Sequence, residues 1–342
     1  MKNKSILMVV AKYPATSGHT TVINNLCKEL NILGYKTAIG AFSFDSKPPF
    51  NIDTIKLSKT KLLTSGVSYL NYDIIHPHQA RVLYYLLAKK PDKSIVFHYH
   101  GASNKIQEKN FKIAFSLFRK RINKIISVSN AGITQMQKLI PDINAEVIYN
   151  GVDTKSFNPD STKFSKKGDP QLLFVSSLRQ YKKSIFLVEQ MEEILKYFPN
   201  AYLQIIGEGE DYNKLQTYIK SNLLEKNVEL VGKIPQSELP KWYSTCDIYV
   251  SASTFEVCPV PPLEAMSCGK PLILFDIEPH REILTRSKSG NFFSNDPKGD
   301  FITKIKQVYE NREKLGTTAR NFAVSQDWSE ISKKISIIYE NL

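Results

Sequence analysis

The 342-residue chain predicts two doubly wound α/β domains in tandem, and three observations carry that expectation. Short apolar runs rich in β-branched residues alternate with longer amphipathic runs. A polar stretch without periodicity, SFNPDSTKFSKKGDP (156 to 170), interrupts the alternation near the middle, and the same alternation restarts after it. Strands that alternate with helices form parallel sheets covered on both faces. The length allows two cores, and a composition of 42% apolar and 23% charged residues is that of a globular protein.

In the first half, SILMVVA (5 to 11) leads into a helix over TTVINNLCKELNILG, then KTAIGAF, then DIIHP with a helix after it. SIVFHY, KIISVS and AEVIY follow with helices between them, ending at Tyr149. After the polar stretch come QLLFVSS, a helix over SIFLVEQMEEILKYF, AYLQIIG, a helix over YNKLQTYIKSNLL, VELVG, a helix over SELPKWYST, DIYVSAS, a short LEAMSC helix and PLILFD. The tail, from FITKIKQVYENREKL through DWSEISKKISIIYENL, reads as helices alone. The expected domains are 1–160 and 161–325, with a last helix, 326–342, packing back on the first domain. Open α/β sheets bind ligands beyond their strand carboxyl ends, so two such domains are expected to turn those ends toward a shared central cleft.

SILMVVA is too short and too soon broken by Lys12 for a signal peptide or a membrane span, and no later run approaches about 18 apolar residues. The expected location is cytoplasmic. Cys27, Cys246, Cys258 and Cys268 form no C-x-x-C pair and suit reduced structural thiols. The net charge of +13 invites nucleic acid, an anionic membrane surface or an anionic small substrate. The lysines are dispersed and no nucleic-acid motif occurs, which argues against nucleic acid. The segment 104 to 124 is denser. It sets Phe111, Ala114, Phe115 and Phe118 at helical spacing among Lys112, Arg119, Lys120 and Arg121. Such a helix either packs on its own sheet with a solvated basic face or meets an anionic membrane surface, peripherally.

Five segments carry chemistry. ATSGHTT follows the first strand with Gly18 in the turn, where backbone amides at a helix start can meet an anion, though a plain tight turn reads equally well. DIIHPH and VFHYHG put His76 and His78, then His98 and His100, at two strand ends. Each pair shares a face, but proline splits the first pair and no carboxylate ligand stands at suitable spacing, so no metal is expected. His100, before Gly101, is the candidate for touching substrate. LLFVSSLRQYKKS presents Arg179, Lys182 and Lys183 after a strand, cations that suit phosphate as well as a solvated loop. In EVCPVPPLEAMSCG, Glu256 and Glu264 bracket three prolines, and a helix starting at Pro261 or Pro262 would hold Glu264 in its first turn. Free amides there favour phosphate oxygens, and a carboxylate there can accept ribose hydroxyls.

Taken together, these segments resemble the retaining family-4 glycosyltransferases of the GT-B fold, glycosyl transferases group 1. The resemblance runs nearly end to end: Ser17-Gly18 with Leu26 and Leu30, DIIHPH, His100-Gly101, SVSNAG, NGVD with Phe157, FVSSLRQYKKS, IIGEGED, ELVGKI, the E-x7-E of Glu256 and Glu264 with EAMSCGKPLI, and SGNFF. It implies transfer of a sugar, a hexose above all, from a nucleotide-sugar donor on the second domain to an acceptor on the first, with retention at the anomeric carbon. A lipid-linked or cell-surface glycan precursor is the acceptor expected. By the same resemblance Glu264 binds ribose and Glu256 lies near the donor sugar. Lys182 faces the diphosphate, Gly18 offers its amide to the distal phosphate, and His100 lies near the transferred sugar. The nucleotide sugar is substrate, so no cofactor is expected, and the sequence holds no Asp-x-Asp, in keeping with metal independence.

The departures are specific. Ser17-Gly18 stands for Gly-Gly, Ser176-Ser177 for Gly-Arg, Val257-Cys258-Pro259 for Gly-Phe-Gly, and Glu278-Pro279 for a Gly-Gly turn. The family arginine is missing at Ser177, with Arg179 or Lys183 as the substitutes to test. These losses motivate an alternative, a catalytically inactive nucleotide-sugar binding protein of the same fold. A sugar epimerase of that fold is a further reading and predicts free sugar without acceptor.

Overall fold

A computed structural model describes residues 4–15, 18–294 and 300–342. In chain order the first elements are β1 (Ser5–Tyr13), α1 (His19–Ile32), β2 (Lys36–Phe44), β3 (Asp53–Lys56), α2 (Lys59–Ser65), β4 (Ile74–Pro77) and α3 (Ala80–Leu86). β5 (Ser94–Tyr99), α4 (Lys105–Phe118), β6 (Lys124–Ser127), α5 (Asn130–Leu139) and β7 (Glu146–Val147) complete the first sheet. Then come β8 (Gln171–Val175), α6 (Ser184–Glu189), α7 (Met191–Tyr197), β9 (Tyr202–Ile206), α8 (Tyr212–Ser221), β10 (Val228–Gly232), α9 (Leu239–Thr245) and β11 (Ile248–Ser251). The chain ends with α10 (Val260–Ser267), β12 (Leu272–Phe275), α11 (Glu278–Ser287), β13 (Gly290–Phe293), α12 (Asp300–Glu310), α13 (Arg312–Ser325) and α14 (Trp328–Glu340).

These elements form two compact units, Met1–Gly151 with Trp328–Leu342, and Val152–Asp327. The first holds a seven-stranded sheet in the order β3-β2-β1-β4-β5-β6-β7, the second a six-stranded sheet in the order β10-β9-β8-β11-β12-β13. Every pairing is parallel, as β1 illustrates, with Leu7 opposite Ala38 on one side and Ile75 on the other. Central strands reached by helices on both faces must be apolar on both, and Ile6 to Val10 are wholly buried. In the first unit one face packs on α1 and α14, the other on α2, α3 and α4.

α14 returns to the first unit because its apolar residues fall in one stripe. Trp328, Ile331, Ile335, Ile338 and Tyr339 are three or four residues apart, and all are buried against α1 and β1. Each such side chain removed from water contributes roughly 1.5–3 kcal/mol at most, which offsets the ordering of a terminal segment.

The unit boundaries fall at 151/152 and 327/328 rather than at 160/161 and 325/326. Val152 pairs with Asp327 and donates its N–H to the Gln326 carbonyl at 3.0 Å, while Phe157 is buried in the second core. Arg320 ties the stretch down by donating to the carbonyls of Thr154, Phe157 and Ser267. The polar stretch thus begins inside the second unit, anchored by contacts that composition does not reveal. β3, α2, β13 and α11 were not anticipated. β3 is a polar edge strand without alternation. β13 opens at Gly290, where a Cβ would stand 1.9 Å from the Leu272 carbonyl oxygen, an approach only glycine permits. No described helix is long and apolar enough to cross a membrane.

Candidate functional site

The second unit builds its site at the carboxyl ends of β8, β9 and β11. Past β8 the backbone of Ser176 to Leu178 lies against the glycine loop past β9. A Cβ on Gly207 would fall 1.8 Å from the Ser176 carbonyl oxygen, and one on Gly209 would fall 2.3 Å from that of Leu178. Leu178 N–H donates to the Glu208 carbonyl at 2.8 Å, and Asp211 N–H to that of Leu178 at 3.1 Å. This backing sets a 3-10 turn over Gln180–Lys182, followed by Lys183 in the left-handed region at φ 50°.

The turn is joined to the loop past β11. Thr254 donates its N–H and its hydroxyl to the Tyr181 carbonyl at 2.8 and 3.0 Å, and the Tyr181 and Phe255 rings meet edge to face. Lys182 Nζ thereby reaches Glu256 Oε1 at 2.5 Å, with only 12% and 15% of the two side chains exposed. A largely desolvated ammonium held by a carboxylate is poised for an anion, since any incoming phosphate gains a cation already stripped of most of its water.

Glu264 follows on α10. The helix starts at Val260 with Pro259 as its N-cap, one residue earlier than the sequence suggested, so Glu264 stands in the second turn rather than the first. The prolines at 261 and 262 carry no N–H, which leaves Val260 as the amide donor of the opening turn. Free amides are therefore fewer than expected at this helix start. Glu264 is 4% exposed. Its Oε1 accepts from Gln236 Nε2 and its Oε2 from the Tyr243 hydroxyl, each at 2.9 Å. Burial pushes its carboxyl up to about 7, against the opposing pull of those two hydrogen bonds. Each oxygen keeps a lone pair for a further donor.

In the first unit Gly18 caps α1 in the left-handed conformation, φ 72°, with no side-chain cap, so the helix start presents backbone alone. Ser17 lies outside the described residues. His76 and His78 at the end of β4 stack with His98 and His100 from β5, ring centroids 4.4–5.3 Å apart and planes within 30°. His100 Nε2 and His78 Nδ1 share a hydrogen bond at 2.8 Å, His76 Nδ1 meets the Tyr339 hydroxyl at 2.5 Å, and His19 abuts the His100 ring. Nitrogens of His76, His78 and His98 come within 4.8 Å of one another. His76 Nε2 and both ring nitrogens of His98 have no hydrogen-bond partner among the described residues.

Burial holds all four rings in the neutral form: His76 falls to about 3, and His78, His98 and His100 are pushed well below the ordinary value, first by desolvation and then by one another. A folded value below the unfolded one means that the unfolded chain takes up more protons below about pH 6.5, so stability falls as pH drops. His76 alone is expected to cost about 2 kcal/mol by pH 5. Glu264 acts in the opposite sense but offers one proton against four. The melting temperature should therefore drop steadily between pH 7 and 5, and a flat profile would mean the rings are not buried neutral.

Lys182, Glu256 and Glu264 lie on neighbouring segments of the second unit. Arg179 does not join them: its side chain is exposed and shares no hydrogen bond or ion pair with Lys182 or Glu256 among the described residues. Lys183 is exposed as well, in the left-handed conformation. Sequence reasoning missed His280. It is wholly buried on α11, with Nδ1 on the Phe275 carbonyl at 2.6 Å and Nε2 without a partner. Burial lowers its basicity while the Glu256 carboxylate raises it and Lys182 lowers it further, which puts it in the field of that ion pair. It missed Gln236 and Tyr243 as well, because their link to Glu264 spans 28 and 21 residues.

Known proteins resemble the chain across both units. The profile of Glycosyl transferases group 1 matches residues 157–322, and that of Glycosyltransferase Family 4 matches residues 16–156. An uncharacterised glycosyltransferase of Methanocaldococcus jannaschii is 24% identical over 98% of both chains. The UDP-Gal:alpha-D-GlcNAc-diphosphoundecaprenol alpha-1,3-galactosyltransferase of Escherichia coli is 24% identical over 85% of this chain and 80% of its own. Among solved structures, HepE of Anabaena in complex with UDP and glucose superposes with a TM-score of 0.80 at 18% identity, covering 99% of this chain and all of that one.

Proposed function

Because the chain belongs to the group 1, family-4 glycosyltransferases and has their GT-B α/β fold, we propose that it moves a hexose from a nucleoside diphosphate sugar to a glycan or lipid-linked acceptor, with retention. The observation that carries this reading is the desolvated Lys182–Glu256 pair, with the buried Glu264 on the adjoining helix. As the bond from the anomeric carbon to the diphosphate oxygen lengthens, negative charge collects on the leaving group and positive charge on the sugar ring. Lys182 neutralises the first and Glu256 steadies the second, so one ion pair serves both ends of the breaking bond. Glu264 accepts the ribose hydroxyls on its remaining lone pairs.

The second unit takes the donor, and the first, with Gly18 toward the distal phosphate and neutral His100 near the transferred sugar, takes the acceptor. The cation is supplied by lysine, and the sequence has no Asp-x-Asp, which supports metal-independent transfer with no cofactor. UDP in the HepE complex and the GlcNAc-diphosphoundecaprenol in the name of the Escherichia coli relative support a nucleotide-sugar donor and a lipid-linked acceptor.

A panel of UDP-, GDP- and ADP-sugars tests the reading by thermal shift. A donor at a hundred times its Kd adds about 2.7 kcal/mol, a rise of roughly 5–10 °C for a unit of this size. No shift with any nucleotide sugar would overturn the donor site. The exposed Arg179 in place of a fixed family arginine favours the second reading, an inactive binder, which predicts a shift but no release of nucleoside diphosphate with any acceptor.

A further inference from the structure

Met8, His78 and His100 form a chain of polar contacts inside the first unit. Met8 lies in β1, wholly buried, and stands opposite His76 of β4 in the parallel register. Just past β4 the N–H of His78 donates to the Val9 carbonyl at 2.9 Å, which fixes where its buried ring begins. That ring makes two polar contacts among the described residues. Nε2 meets Met8 Sδ at 3.4 Å, and Nδ1 meets His100 Nε2 at 2.8 Å. His76, His78 and His98 are buried, whereas His100 is half-buried.

These contacts settle which nitrogen of each ring carries hydrogen. Burial keeps both rings neutral, and a neutral imidazole has one N–H and one lone pair. A thioether sulfur accepts and cannot donate. A hydrogen on His78 Nε2 therefore forms an N–H···S contact with Met8, whereas a lone pair there would face the lone pairs of sulfur. With its hydrogen on Nε2, His78 has only a lone pair on Nδ1. The 2.8 Å contact then requires the hydrogen of His100 on Nε2, since two lone pairs would repel at that distance. The lone pair of His100 is left on Nδ1. The reverse order, with His78 donating to His100, would set a lone pair against Met8 Sδ and make His100 Nδ1 a donor.

We propose that Met8 and His78 are positioning residues that fix the tautomer of His100, so that His100 offers its substrate a hydrogen-bond acceptor at Nδ1 rather than a donor. A hydroxyl can donate to that nitrogen, and a carboxylate or ether oxygen cannot. A site built in this way favours a substrate that carries the hydroxyl over one that lacks it. The inference rests on the reading that puts His100 near the transferred sugar, and it assigns to a sugar hydroxyl the group that His100 holds.

Nitrogen NMR of histidine-labelled protein tests it, because couplings from the ring carbon-bound protons tell the two tautomers apart. In the free protein His100 should carry its hydrogen on Nε2. Met8→Leu, close in volume but without an acceptor, should move that hydrogen to Nδ1 with the melting temperature little changed. It should also lower kcat/KM for a donor selected by thermal shift by about tenfold, the cost of a misplaced hydrogen bond. His78→Asn, whose Oδ1 can stand in for Nδ1 as acceptor, should keep the hydrogen of His100 on Nε2 and most of the turnover, and His78→Phe should lose the turnover. A hydrogen on His100 Nδ1 in the intact protein, or a tautomer that Met8→Leu leaves unchanged, overturns the proposal. So does a variant in which the tautomer changes and kcat/KM does not. The tautomer is read without substrate, so absence of turnover with every nucleotide sugar would sink the transfer reading separately.

Discussion

Lys182→Met is expected to lower kcat by about a hundred- to a thousandfold, the cost of removing one preorganised group that meets charge developing in the transition state. Methionine keeps an apolar stem and removes the ammonium, which also stands 5.4 Å from the Tyr181 ring centroid, so the loss falls on the charge. Stability should fall as well, by about 1–3 kcal/mol, because Glu256 is left largely buried without its cation. The double variant Lys182→Met/Glu256→Gln separates the two effects. It should recover most of the melting temperature and none of the turnover, a coupling read from the double-mutant cycle. Turnover in the single variant near that of the intact protein would show that the leaving group is met elsewhere.

Replacing Glu264 by Gln should raise the donor KM by about ten- to a hundredfold with a smaller change in kcat, since charge-assisted hydrogen bonds to the ribose contribute about 1.5–3 kcal/mol. Glu264→Ala should add a folding defect, because the Tyr243 hydroxyl is then buried without an acceptor. The pH dependence is a sharper signature. With its carboxyl pushed up to about 7 in the free protein, Glu264 must lose a proton to accept ribose hydroxyls at lower pH. Donor affinity should be level above pH 7 and fall by up to about tenfold per unit below it. In Glu264→Gln that slope should vanish. A raised carboxyl value also means that ionised Glu264 costs stability as pH rises from the unfolded value through about 7, so the Gln variant should compare more favourably at pH 8 than at pH 5.

The two sheets could be read from the chain because their central strands are buried on both faces, and Ile6 to Val10 or Leu172 to Val175 show that as an unbroken apolar run. Edge elements could not: the β3 run is polar, and β13 exists because Gly290 lets two backbones touch. Within the site, the E-x7-E spacing marked Glu256 and Glu264, but their partners are set by the fold. Lys182 meets Glu256 across 74 residues, and no local pattern encodes that. His280 gave no signal at all, a histidine behind a proline whose burial follows from the packing of α11 on β12 and β13. Pro259 stood as the odd residue of its motif. As N-cap with ψ 133° it turns an extended loop into α10, and the prolines after it fix that start.

The most direct measurement is an NMR time course of a nucleotide sugar selected by thermal shift, mixed with the protein and a lipid-linked glycan acceptor. The account predicts release of the nucleoside diphosphate together with a new glycosidic anomeric signal of the same configuration as the donor, abolished by Lys182→Met. A product of inverted configuration, or transfer undiminished in that variant, would contradict it.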